Sequence, residues 1–200
     1  METSRPPTVA IVSAGAMGAG LAKRLTTFGC TVLTIVEGRS ESTKQRAKEA
    51  GIKGASLSEI VREADWVLSI LPPSSAEHFA REFLATEKTV LVDDGGRIRA
   101  RASVFVDCNA KNPETAQYLS KLFADSPSIF LDASIVGLPP KGSHDPVLYA
   151  SADPSDRHTL EEFGALQRYG IRTKILNGNG ATIGDASALK MAYSVGLGER

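Results

Sequence analysis

Short apolar runs rich in β-branched residues recur along the chain, and stretches of polar helix formers separate them. Residues 8–13 (TVAIVS) read as a strand and 16–28 as a helix stopped by Gly29. A second strand is expected at 31–36 (TVLTIV), then a polar helix over 40–50 with Ser40 as its cap and Gly51 past its end. A short strand at 52–55 and a helix over 57–63, capped by Ser56 or Ser58, lead to a fourth strand at 66–70 (WVLSI). Pro72 and Pro73 end that strand, and a helix resumes over 74–84. Strands alternating with helices at this spacing imply crossover connections and a largely parallel sheet.

The pattern is less regular over 89–103. Both 90–92 and 104–106 look like strand, and the charged stretch DDGGRIRARAS lies between them. Residues 103–107 are taken as the core strand, and 89–102 as an edge excursion or insertion. Asn112-Pro113 then starts a helix to Phe123, since Asn caps well and Pro suits the first helical position. Further strands are expected at 128–133, 147–151 and 171–176, with a helix from Asp153-Pro154 to about Arg168 and a last helix over 184–195. No internal repeat interrupts the alternation. Residues 1–7 read as a disordered lead-in, 8–183 as one domain, and 184–200 as the start of a helix leading out of it.

The turn between the first strand and first helix carries the chemistry. Its sequence, Ser13-Ala14-Gly15-Ala16-Met17-Gly18, matches G-x-G-x-x-G except that Ser13 holds the first position. Glycines there let backbone N–H groups at a helix N-terminus approach a pyrophosphate, and the helix dipole favours its charge. The fold class expected is therefore α/β, a Rossmann-type, doubly wound and mostly parallel sheet. Glu37 lies about twenty residues past the turn, where an acid would bind ribose hydroxyls. Arg39 and Ser40 follow at once and suit a 2′-phosphate, through a bidentate guanidinium and a hydroxyl at a helix start. That pair favours NADP, with NAD left open.

Composition narrows the partners. A chain of 200 residues, 42% apolar and 23% charged, can bury the core of one ordinary domain. Its formal net charge of zero offers no basic surface for nucleic acid, and no apolar run approaches a membrane span. The N-terminal METSRPP has no apolar secretory core. Cys30 and Cys108 lack metal-ligand or redox spacing and read as buried thiols, so a cytoplasmic protein is expected.

The order of these motifs resembles the β-hydroxyacid dehydrogenase superfamily, which includes 3-hydroxyisobutyrate and 6-phosphogluconate dehydrogenases. SAGAMG at the turn is similar to that family's G-x-G-x-M-G, and WVLSILPP (66–73) to its fourth strand and following loop. DCNAKNP (107–113) looks like a variant of its strand-end motif, DASIVGLPP (132–140) stands where it has D-A-P-V-S-G-G, and GDASALKMAYS (184–194) resembles its lysine helix. The resemblance implies that Leu71, Pro72 and Asn109 border a nicotinamide, that Ser134, Gly137 and Ser194 meet substrate, and that Lys190 is the catalytic acid/base. Oxidising a hydroxyl needs a base as hydride leaves, and the reverse needs an acid; a lysine can serve as either. The implied activity is NADP-dependent hydride exchange with a small hydroxy acid or related carbonyl compound.

The chain departs from the family pattern in places. Ser194 replaces the usual Asn after the lysine, and Val136 stands where a substrate-binding Ser is usual. Against the resemblance, the chain is expected to lack most of the family's C-terminal helical domain, which leaves open a homodimer or a partner chain that supplies it. Two other readings compete: a non-catalytic dinucleotide-binding module or truncated inactive homologue, and an imine reductase-like enzyme on the same scaffold. His78, His144 and His158 are scattered without metal-ligand spacing, and Asp93-Asp94 before Gly95-Gly96 suits a turn, so no metal site is expected.

Overall fold

The alternating apolar runs close into one eight-stranded sheet flanked by helices. The computed structural model describes residues 5–93, 102–109 and 112–198. The first half comprises β1 (Thr8–Val12), α1 (Ala16–Thr27), β2 (Thr31–Thr34), α2 (Glu41–Glu49), β3 (Lys53–Gly54), α3 (Leu57–Glu63), β4 (Trp66–Ser69) and α4 (Pro73–Asp93). The second half comprises β5 (Val104–Asp107), α5 (Pro113–Leu122), β6 (Ile129–Val136), β7 (Val147–Ser151), α6 (Arg157–Gly164), β8 (Arg172–Ile175) and α7 (Asp185–Gly198).

The sheet order is β3-β2-β1-β4-β5-β6-β7-β8, and the first six strands run parallel. Only β7 reverses direction against β6, and β8 runs parallel to β7. All five residues of β1 are buried, as a strand covered on both faces requires. Val9, Ile11, Trp66, Leu68, Val104 and Val106 pack with α1 and α6 on one face. Ala10, Val12, Val67 and Phe105 pack with α3, α4 and α5 on the other, around a group of phenylalanines that includes Phe83 and Phe123. The chain order reverses at β1, between β2 and β4, and open α/β sheets carry their ligand crevice at such a switch point, beyond the carboxyl ends of the strands.

Three elements differ from the sequence expectation. α4 continues to Asp93, so 90–92 is helix and not strand. Ala76, Phe79, Ala80, Phe83 and Val90 form one buried helical stripe, and tertiary packing along it overrides the local β preference of the valines. Glu87 shares the stripe and is buried, with its carboxylate accepting hydrogen bonds from the Ser126 and Ser128 hydroxyls. The expected excursion beyond Asp93, with Asp94, Gly95 and Gly96, lies outside the described residues. The segment expected as one helix from 153 to 168 is instead a 3-10 turn (Pro154–Asp156), α6, and a second 3-10 turn (Ala165–Tyr169) ended by Gly170 at φ +83°. β6 runs on to Val136 because β7 folds back on it in register. Among the described residues, no helix is long and apolar enough to cross a membrane, and no group of His, Cys, Asp or Glu could hold a metal ion.

Candidate dinucleotide site

At the end of β1 the backbone turns sharply through Ser13, which adopts φ +82°. Gly15 caps α1 in an extended conformation (φ −64°, ψ −178°) and supplies no side-chain cap. Ser40, Ser56 and Asn112, by contrast, each accept a backbone N–H at the start of α2, α3 and α5. The first N–H groups of α1 thus face the crevice without a side chain over them. A Cβ on Gly15 would meet only the Ser13 Oγ, at 3.9 Å. A Cβ on Gly18 would lie 2.2 Å from the Ser13 carbonyl oxygen and 3.0 Å from Ile11 Cγ2. Gly18 therefore lets helix and strand pack, while Gly15 keeps the approach to the helix start open. Ala16 is exposed at that start, and Met17 packs against the core.

Beyond β2 the chain turns at Gly38 (φ +67°), with the Arg39 N–H donating to the Val36 carbonyl. Glu37 is exposed and Arg39 half-buried. Ser40 accepts the Thr43 N–H, and its Oγ lies 3.0 Å from both Ser42 Oγ and Thr43 Oγ1. Arg46 completes this cluster, donating through Nη2 to Thr43 Oγ1 (3.1 Å) and through Nε to the Ala14 carbonyl (3.3 Å). α2 and the glycine turn are thereby tied together.

The ends of β4 and β5 are joined by one side chain. Buried Asn109 accepts the Leu71 N–H on Oδ1 (2.5 Å) and donates through Nδ2 to Ser69 Oγ (3.0 Å) and to the Asp107 carboxylate. Its amide fixes the loop after β4, where Leu71 is half-buried and Pro72 exposed.

α7 is fastened to β6 by Asp132, which is 1% exposed. Its Oδ2 accepts the Gly184 N–H (3.1 Å), the Ser187 N–H (3.0 Å) and the Ser151 hydroxyl (3.1 Å), and its Oδ1 accepts the Ser187 hydroxyl (2.7 Å). Burial raises the Asp132 carboxyl above the ordinary aspartate range, and the bonds from Ser187, Ser151 and Gly184 work against that rise. One turn beyond Ser187, Lys190 lies half-buried and donates from Nζ to the Ile135 carbonyl at 2.8 Å.

The expected substrate residues fare differently. Gly137 adopts φ +121° at the turn out of β6, where a Cβ would lie 3.1 Å from Pro146 Cα. The Ser194 hydroxyl, exposed, donates to the Lys190 carbonyl of its own helix (2.9 Å). Ser134 shares the Asp132 face of β6, is 1% exposed, and its Oγ has no hydrogen-bond partner. It is sealed under packing rather than presented to the crevice.

Three comparisons bear on this geometry. Residues 8–94 match the family described as NADP oxidoreductase, coenzyme F420-dependent. A solved structure of a conserved protein of unknown function, reported as similar to 3-hydroxyacid dehydrogenases, is 32% identical with a TM-score of 0.74 and is matched over 94% of this chain and 63% of its own. The chain shares with that structure a Rossmann-like α/β fold. Mycobacterium tuberculosis 3-hydroxyisobutyrate dehydrogenase shares it at 20% identity and TM-score 0.72, over 96% of this chain and 60% of that one. A Myxococcus stipitatus imine reductase solved with NADP+ shares it at 19% identity and TM-score 0.74, over 96% and 61%. A curated, uncharacterized 28.5 kDa protein of Methanothermus fervidus is 26% identical over 165 residues, 82% of this chain and 55% of that protein. The chain thus spans about half of the curated relative and about 60% of the structural ones.

Two features escaped the sequence reading. Arg46 stands three residues after Thr43, as Thr43 does after Ser40, and this helical spacing is the signal that links them. The Asp132 cluster joins residues more than fifty positions apart, Asp132 with Gly184 and Ser187, so no local pattern marks it.

Proposed function

We propose that this chain binds NADP(H) across the carboxyl ends of β1, β2 and β4, and that it serves hydride exchange between the nicotinamide and a small hydroxy acid or related carbonyl compound. The observation that carries the reading is the open helix start at Gly15, set at the point where the strand order reverses. The residues there fit a dinucleotide. Gly15 leaves room where a Cβ would intrude, and the start of α1 offers N–H groups to a pyrophosphate. Arg39, with the Ser40–Thr43–Arg46 cluster behind it, supplies the charge and donors a 2′-phosphate needs. Glu37, exposed beside them, can turn to solvent.

When bound, the nicotinamide supplies the hydride donor or acceptor. Asn109 holds the Leu71 backbone and so shapes the loop that would border it. Lys190 is the proton carrier in this reading. Its Nζ rests on the Ile135 carbonyl at the end of β6 and would exchange that partner for the substrate oxygen, returning or accepting a proton there. Ser194 and Gly137 flank this position in sequence, and their part is to shape the substrate end.

Turnover measured on a panel of 3-hydroxy acids and cyclic imines, with wild type and Lys190→Met, tests the reading. Oxidation of a hydroxy acid is expected, reduced by at least about 100-fold in Lys190→Met while cofactor affinity holds. Reduction of imines alone, unaffected by Lys190→Met, would replace the hydroxy acid reading. Tight NADPH binding with no turnover on any substrate would leave a binding module.

A further inference from the structure

We infer that the Ser13 hydroxyl is a direct ligand of the cofactor's pyrophosphate, retained at a cost in backbone strain, so that this residue trades fold stability for affinity. The inference rests on the dinucleotide reading above. Among the described residues Ser13 is the one non-glycine at positive φ; the other such positions, Gly29 and Gly170 among them, are glycines. A Cβ is crowded by the neighbouring carbonyl in that region, which is why glycine takes it by default. The strain has no visible return inside the protein. The Ser13 hydroxyl does not cap α1, because Gly15 holds that place with no side-chain cap, and it makes no hydrogen bond to another described residue.

The hydroxyl's position gives it an external partner. The vacant Cβ position on Gly15 lies 3.9 Å from Ser13 Oγ, so the hydroxyl looks across the gap that glycine leaves open. A phosphate oxygen in that gap meets the hydroxyl on one side and the α1 N–H groups on the other. A serine O–H donating to a phosphate is a charge-assisted bond, the stronger kind. Strain held without internal compensation and beside a ligand path points to a functional residue.

Thermal unfolding and calorimetric titration with NADPH, on wild type, Ser13→Gly and Ser13→Ala, test this. Ser13→Gly relieves the strain and is expected to melt about 2–4 °C higher, yet to bind NADPH about tenfold more weakly. Ser13→Ala keeps the strain and loses the hydroxyl, so it binds as weakly as Ser13→Gly with no gain in melting temperature. The same loss is expected with ADP-ribose, which carries the pyrophosphate, and not with adenosine 2′-monophosphate, which lacks it. Ser13→Gly binding NADPH as tightly as wild type would overturn the inference, as would a lower melting temperature or an equal loss with both fragments. Wild type that binds neither NADPH nor NADH would overturn the dinucleotide reading itself, whatever the melting temperatures show.

Discussion

Gly15 and Gly18 stand three residues apart and answer to different constraints. At Gly15 a methyl group would find no protein atom closer than 3.9 Å, but it would occupy the approach to the α1 N–H groups. Gly15→Ala is therefore expected to cost no more than about 1 kcal/mol of stability while weakening NADPH at least about tenfold. At Gly18 the same methyl would press on the Ser13 carbonyl at 2.2 Å, and backbone cannot step aside as a flexible side chain can. Gly18→Ala is expected to lose about 2 kcal/mol or more in urea unfolding. Equal effects of the two substitutions on stability would contradict this division. The cysteines obey simple burial: it pushes the Cys30 thiol up to about 11 and Cys108 well above its ordinary range, so neither is a poised nucleophile.

At the scale of elements, α7 carries Lys190, the proposed proton carrier, and is fastened at its start by one buried carboxylate. Asp132→Ala would leave the Gly184 and Ser187 N–H groups buried beneath the helix start without their acceptor. A loss of about 2–3 kcal/mol is expected, together with lower turnover as Lys190 loses its fixed place. Asp132→Asn keeps an acceptor for both N–H groups and can donate to the Ser187 hydroxyl, so it should fold. It also isolates the effect of charge. A carboxyl whose native value is raised stabilises the fold below its unfolded value and loses that contribution as pH rises through the native value. Relative to Asp132→Asn, wild type should therefore be more stable at acid pH than at neutral pH, read as a difference of urea unfolding curves. A difference independent of pH would sink this account.

The elements also show what the sequence could and could not reveal. β1, β4 and β5 were legible because strands buried on both faces must be nearly continuous apolar runs, and α2 and α5 because Ser40 and Asn112-Pro113 mark their starts. The valines near position 90 misled because β-branched residues speak for strand locally, whereas the stripe from Ala76 to Val90 speaks for helix over about four turns. The glycine turn and Lys190 lie within contiguous motifs and could be read directly. The Asp132 cluster and the tie from Arg46 to the Ala14 carbonyl join distant segments and emerge only once the sheet order is set.

At the scale of the molecule, the strand order sets the residues proposed to act along one edge of the sheet. The glycine turn, the Arg39–Ser40 corner and the Asn109-held loop stand past the carboxyl ends of β1, β2 and β4, and the Lys190 Nζ reaches the carboxyl end of β6 from α7. The loop of residues 137–146 is drawn onto α1, with Arg24 Nε donating to the Asp145 carboxylate (2.9 Å) and Pro140 filling the place of a Gly20 Cβ. That contact links the helix that would hold pyrophosphate to the strand whose end receives Lys190. The central claim is that the carboxyl ends of β1, β2 and β4 hold a nicotinamide dinucleotide with its 2′-phosphate on Arg39. Calorimetric titration of the protein with NADPH and NADH, repeated on Arg39→Ala, tests it most directly. Micromolar NADPH binding is predicted, at least about tenfold tighter than NADH, with Arg39→Ala erasing the difference. Failure of both cofactors to bind at millimolar concentration would contradict it.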